Sequence, residues 1–191
     1  MIKRAKLLSL IRDRRGIAAT EFALIAPALI FLVMGVLEMS FRFRANEEAT
    51  RYSHEVADLV AREDTLTTQG LREIYNASVY MMKPLETTNR LDFDVAQVGF
   101  ETSAATPRLF WRRVVGAPVD FNISDTKDMG GQDEAVIRVG IRYHYESVLS
   151  NLFGGKTMTI EKSVYARPRG EREITMDGKA DDGGATTYFT G

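Results

Sequence analysis

From Gly16 to Leu37 the chain reads GIAATEFALIAPALIFLVMGVL, 22 residues with one ionisable side chain, Glu21. As a helix this run is about 33 Å long, enough for a bilayer's hydrocarbon core of about 30 Å. It is apolar on all sides over about five turns, unlike a surface helix with one apolar stripe. A secretory signal has a shorter apolar core followed by a small-x-small cleavage site. Here the run continues to Leu37 and closes on Glu38-Met39-Ser40-Phe41-Arg42 with no such site. The run therefore predicts a retained membrane anchor, with the lipid bilayer as its partner.

The flanks predict its orientation. Before Gly16 stand Lys3, Arg4, Lys6, Arg12, Arg14 and Arg15 against Asp13 alone. Cationic flanks stay in the cytoplasm, which would put the rest of the chain outside it. Residues 1–15 are either a short amphipathic helix on the inner leaflet or a tail that only sets topology. The net charge of −1 gives no global pull towards nucleic acid. The absence of cysteine removes disulfide and thiol chemistry and suits an oxidising compartment.

The helix is expected to outlast the membrane. Phe41, Ala45, Ala49, Tyr52, Val56 and Leu59 recur at spacings of three and four, and no Gly or Pro interrupts from Val36 to Gln69. Pro27 lies inside the span, where membrane helices tolerate it. Asp64-Thr65 reads as a break and N-cap. Leu71, Ile74, Tyr75, Ser78, Val79 and Met82 then predict a second helix over about 66–83, stopped by Pro84. After Pro84 the period becomes two, with strand candidates at 91–95, 108–115, 134–148 and 158–166. In the third, Ile137, Val139, Ile141, Tyr143 and Tyr145 alternate with Arg138, Gly140, Arg142, His144 and Glu146. Gly154-Gly155 supplies the turn into the fourth.

The expected architecture is α+β: a long N-terminal transmembrane helix continuing into a periplasmic domain, where a second helix packs on an antiparallel sheet of about four strands with one face covered. The expected divisions are a cytoplasmic basic leader at 1–16, the transmembrane and extended helix at 17–63, the periplasmic α+β domain at 64–169 and a flexible tail at 170–191. Gly, Asp and Thr dominate that tail, although Tyr188-Phe189 offers a docking point.

No enzyme signature appears: no GxSxG, HExxH, P-loop or GxGxxG before a helix. No catalytic residue, cofactor or metal ligand set is expected. His54 and His144 stand alone, and zinc wants three or four ligands. The acids Asp125, Asp128, Asp133 and Glu134 lack the alternate oxygen ligands of a calcium loop, because Lys127 and Met129 occupy those places. Asn76 and Asn122 head glycosylation-type triplets, a pattern common by chance. Trp111, beside Arg112 and Arg113, reads as a strand aromatic buried on one side rather than an exposed binding patch.

Glu21 is the informative polar residue, because a carboxylate in a membrane helix is costly and generally has a partner. A cut after Gly16 would create an α-amino group at Ile17, a natural partner on the same or a neighbouring chain. Alternatively the carboxylate reaches the headgroups unaided, and the physics of the run does not choose between the two.

The string Gly16-Ile17-Ala18-Ala19-Thr20-Glu21-Phe22 resembles the prepilin peptidase site of Flp-type (type IVb) pilins: Gly, four residues, Glu, then Tyr. The longer RDRRGIAATEFALIAPALIFLVMGVLEMSFRF resembles the N-terminal signature of the TadE-like family of the bacterial tight-adherence (Tad) pilus system, and Val164–Arg169 resembles the family's close. The resemblance covers about residues 12–62 well. It implies a pseudopilin or minor pilin of the inner membrane, cut after Gly16 by prepilin peptidase and taking part in pilus assembly. Its implied partners are other pilins or pseudopilins and inner-membrane assembly proteins, and Glu21 is implied to help helices associate. Phe22 stands where the site usually has Tyr, keeping the ring and losing the hydroxyl. The chain is also much longer than a major pilin, which points to a minor component at the tip, the base or an initiating complex. The alternative is an uncleaved single-pass periplasmic adaptor or binding module of a secretion or pilus machine.

Overall fold

A computed structural model describes residues 16–100, 106–147, 157–170 and 172–191. The leader at 1–15 and the Gly154-Gly155 turn lie outside the described residues. Two compact units result, one ending at Phe41 and one comprising Arg42–Gly191.

Helix α1 runs Ile17–Arg62, 46 residues, with Pro27 inside it. Among the described residues it is the one helix long and apolar enough to cross a membrane, and 6 % of its most apolar window is buried. Phe22, Leu24, Leu29, Phe31 and Leu32 all face outward. In the second unit the same helix behaves conventionally. Ala45, Ala49, Tyr52, Val56 and Val60 are fully buried, which is the 3.6-residue stripe of a helix lying on a core. The stripe differs from expectation at its ends. Phe41 and Leu59 are exposed, at 42 % and 43 %, and Val60 takes the inward place because the last step is four residues rather than three.

A two-residue strand β1 (Thr65–Leu66) follows. The N-cap of the next helix, α2 (Thr68–Met81), is Thr67, not Asp64 or Thr65; its hydroxyl accepts from the Gly70 amide at 3.0 Å. That satisfies one of the orphan donors of the first turn. Strands β2 (Leu91–Gly99), β3 (Arg108–Val115), β4 (Ala135–Tyr145) and β5 (Met158–Ala166) are the four expected ones. They pair antiparallel, with Phe93 opposite Val115 and Ile141, Val95 opposite Val139, and Val139 opposite Val164. Phe93, Val95, Ile137, Val139, Ile141 and Trp111 form one core with Tyr52, Val56 and Leu71 from the helices.

The structure departs from the expected four-stranded sheet with one covered face in two ways. First, the segment expected as a flexible tail is built into the fold. It supplies β6 (Thr175–Met176), parallel to β1, and β7 (Thr186–Tyr188), parallel to β3. The main sheet is therefore five-stranded and mixed, in the order β5-β4-β2-β3-β7. Ile174, Met176 and Phe189 are buried. The Trp111 indole donates to the Ile174 carbonyl at 3.1 Å, and the Ile174 amide donates to Gln97 Oε1 at 2.9 Å. The Trp111 indole and the Gln97 carbonyl oxygen thus find their partners in this strap. Second, the other face of the sheet is covered by residues 116–121. Val119 and Ala117 donate their amides to Asp94 and Asp92, each at 3.0 Å. Gly116 holds φ +77°, and a Cβ there would meet Asp92 Oδ1 at 2.2 Å, so the turn into this segment admits only glycine comfortably.

Candidate functional site

In the first unit, Gly16 precedes α1 directly, and Ile17 and Glu21 lie one turn apart on it. Ile17, Glu21, Phe22 and Pro27 are all exposed, Phe22 at 68 %. The Thr20 hydroxyl turns back to the Ile17 carbonyl at 2.8 Å, so it is spent within the helix and leaves Glu21 as the polar group facing outward on that turn. Ala18, Ala19 and Ala23 are exposed beside it, which keeps this stretch of helix slim. Ile17, Glu21, Phe22 and Pro27 therefore share one outward-facing helical segment, with Gly16 directly before it.

The second unit holds a cluster that the sequence reading did not single out. Asp94 on β2 and Arg138 on β4 are both 0 % exposed and pair at 3.2 Å. Arg112 on β3 grips the same carboxylate with two hydrogen bonds, at 3.0 and 2.5 Å, and also reaches the Val119 carbonyl. The Arg138 guanidinium donates to the Asp120 carbonyl and the Ser163 hydroxyl, both at 2.9 Å. The Phe121 ring lies 5.0 Å from the Arg138 guanidinium and 5.8 Å from that of Arg112. Burial holds Arg138 below its usual range against the pull of Asp94, whereas the Asp94 hydrogen bond raises Arg112. Around the cluster, His144 Nε2 meets Asp92 Oδ2 at 2.9 Å and Arg142 meets Glu161 at 2.6 Å. This arrangement binds segment 116–121 to the sheet. It contains no nucleophile with an adjacent base. A signal for it exists in the sequence: Asp92, Asp94, Arg112, Arg138 and Arg142 sit at the alternate positions of three neighbouring strands, with opposite signs.

The remaining candidates separate. Trp111 is fully buried, as its strand position implied. His54 is exposed on α1, far in sequence from His144. Glu134 accepts from the Gly131 amide at 2.7 Å, while Asp125 falls in a 3-10 turn over Ile123–Thr126. Among the described residues no group of three or more His, Cys, Asp or Glu could hold a metal ion.

A second arginine group clamps the strap. Arg113 pairs with Asp182 at 2.8 Å and Asp177 at 3.6 Å, and Arg108 with Asp181 at 2.6 Å. Asp177 also accepts from the Thr68 amide and hydroxyl, at 2.8 and 2.6 Å. Arg169 reaches Asp58 on α1, and its amide donates to the Ala61 carbonyl at 2.8 Å. The acids that made the tail look mobile are the ones that dock it.

Residues 16–58 match the model of a protein family described as TadE-like protein. The matched segment includes the whole apolar span and the Gly16–Phe22 string, and stops within the buried stripe of α1. No curated protein matches this chain, and no solved structure does.

Proposed function

We propose that this chain, TadE-like over residues 16–58, is a membrane-anchored pseudopilin or minor pilin that takes part in assembling a Tad-type pilus and has no catalytic activity of its own. The observation that carries the reading is the placement of Gly16, Ile17, Glu21 and Phe22 on one exposed turn and a half, at the head of an apolar span whose large side chains all face outward. A helix that exposes both its apolar surface and a single carboxylate is suited to lipid and to other helices.

In this reading the N-terminus is cytoplasmic and residues 64–191 are periplasmic. Prepilin peptidase cuts after Gly16, the Ile17 α-amino group becomes a cation, and Glu21 of a neighbouring chain pairs with it. In a medium of low dielectric such a pair is favourable only when both charges are present, because a lone buried charge is costly. The alanines at 18, 19, 23, 26 and 28 allow the close backbone approach that the pairing needs.

The test is N-terminal sequencing of the membrane-extracted protein together with Glu21→Ala. An N-terminus at Ile17, with loss of assembled pili in the variant at normal protein level, is the expected result. A mature chain that begins at Met1 would instead make it an uncleaved adaptor, and full piliation by the variant would remove the role given to Glu21.

A further inference from the structure

Two triplets of the glycosylation type, Asn76-Ala77-Ser78 and Asn122-Ile123-Ser124, fall in the second unit. A transferase that recognises such a triplet must reach the asparagine amide and the serine hydroxyl together, on a surface loop. The fold treats the two in opposite ways. Asn76 lies inside α2, so its backbone is committed to the helix. Ser78 is 2 % exposed, and its hydroxyl donates to Thr87 Oγ1 at 3.3 Å. That triplet offers no accessible hydroxyl and is closed to an enzyme.

The second triplet is open. It follows segment 116–121, and Asn122 heads the 3-10 turn Ile123–Thr126. Asn122 and Ser124 are both exposed. The Ser124 amide donates to Asn122 Oδ1 at 3.0 Å, an Asx turn that bends the chain at the acceptor. Asn122 Nδ2 and the Ser124 hydroxyl make no bond among the described residues. The base of the turn is fixed, since Arg138 donates to the Asp120 carbonyl at 2.9 Å and lies 5.0 Å from the Phe121 ring. The Asp120 side chain is 98 % exposed and puts a carboxylate two residues before Asn122, a handle for a basic subsite. We propose that Asn122 is a saccharide acceptor, modified by a membrane transferase that uses a polyprenyl-diphosphate-linked sugar. Asn122 Nδ2 attacks the anomeric carbon, and the N–C bond forms as the C–O bond to the diphosphate breaks. The diphosphate leaves with that electron pair, and one amide proton passes to a base of the transferase. The inference rests on the orientation proposed above, because the transfer needs residues 64–191 outside the cytoplasm.

The test extracts the full chain from the membranes of its native cells and analyses its tryptic peptides by electron-transfer mass spectrometry. The peptide Val114–Lys127 carries Asn122, and a separate one carries Asn76. A saccharide mass on Asn122, with Asn76 bare, is the expected result. Asn122→Gln and Ser124→Ala are each expected to abolish it at an unchanged melting temperature, and Asp120→Asn to lower its occupancy. Protease added to spheroplasts reports separately whether residues 64–191 lie outside the cytoplasm. A bare Asn122 in a domain that the protease digests overturns the acceptor role alone. A bare Asn122 in a domain that the protease digests only after lysis overturns the orientation with it. A saccharide that persists in Asn122→Gln, or that sits on Asn76, also overturns the proposal.

Discussion

The two units invert each other. Up to Phe41 the large apolar side chains point outward, and Leu29, Leu32 and Val33 are at least half exposed. From Arg42 onward a stripe of apolar side chains from Ala45 to Phe189 turns inward, though Phe43 and Tyr80 stay outside, and charged ones follow it: Asp94 and Arg138 are completely buried, and Arg113 nearly so. One chain thus solves two solvation problems in opposite ways. In the first unit the helix closes its backbone hydrogen bonds internally and turns its apolar surface outward, as a helix long and apolar enough to cross a membrane would. In the domain, a sheet with both faces covered encloses charged groups, and it compensates them by pairing arginines with aspartates across strands. Hydrophobicity alone therefore says little about which side of an element is buried, and the surrounding solvent says more.

The sharpest way to break this contrast is to remove one member of the buried pair. Asp94→Ala leaves Arg138 as a buried charge without its acid, and unfolding of the domain should become easier by about 3–5 kcal/mol. Replacing the acid and both of its arginines by apolar residues, Asp94→Leu with Arg138→Met and Arg112→Met, should cost clearly less than the single change. Equal losses in the two would show that the cluster contributes through something other than charge compensation.

Next comes a matched pair of leucines. Leu71→Ala in α2 empties a fully buried site and should cost about 3 kcal/mol by chemical denaturation. Leu29→Ala, at 50 % exposure in the span, should leave the same unfolding transition of the domain unmoved. A shift there would mean that the two units unfold together. Thr67→Ala removes the cap of α2 and should lower stability by about 1 kcal/mol, while Thr67→Ser should restore it.

The smallest expected effect is a pH dependence of the strap. The Asp177 carboxyl sits below its ordinary range: burial pushes it up, but the hydrogen bonds from the Thr68 hydroxyl and amide and the charge of Arg113 outweigh that. A depressed carboxylate contributes stability above the unfolded value of about 4, and the contribution disappears as pH falls through the folded value. Wild type should therefore melt above Asp177→Asn at neutral pH, and the gap should close on acidification below about pH 4. A gap that persisted in acid would assign the effect to hydrogen bonding rather than charge.

Much of this architecture was legible before any coordinates. The span, the length of α1 within one residue, α2 within two and all four antiparallel strands follow from local periodicity, which needs no knowledge of distant residues. So does the burial of Trp111, because its place on a strand is a local property. Misread were the cap at Thr67, the inward turn of Val60 in place of Leu59, and the strap apart from its docking point at Tyr188-Phe189, where Phe189 is buried. A Gly- and Asp-rich stretch is indistinguishable from a mobile tail until Arg108 and Arg113, more than sixty residues earlier, are seen to hold it.

By itself, then, the order of residues determined where the apolar span begins and ends, which segments coil and which extend, and where a lone acid sits in the span. The tertiary structure alone decided that β7 lies parallel to β3, that the strap supplies the partners of Trp111 and Gln97, and that Asp94 and Arg138 meet out of water. The physical reason is range. Helical and strand periods are set by neighbours within a few positions, whereas a buried ion pair or a docked strap exists only when segments far apart in sequence have been brought together, and its energy depends on the solvent they exclude.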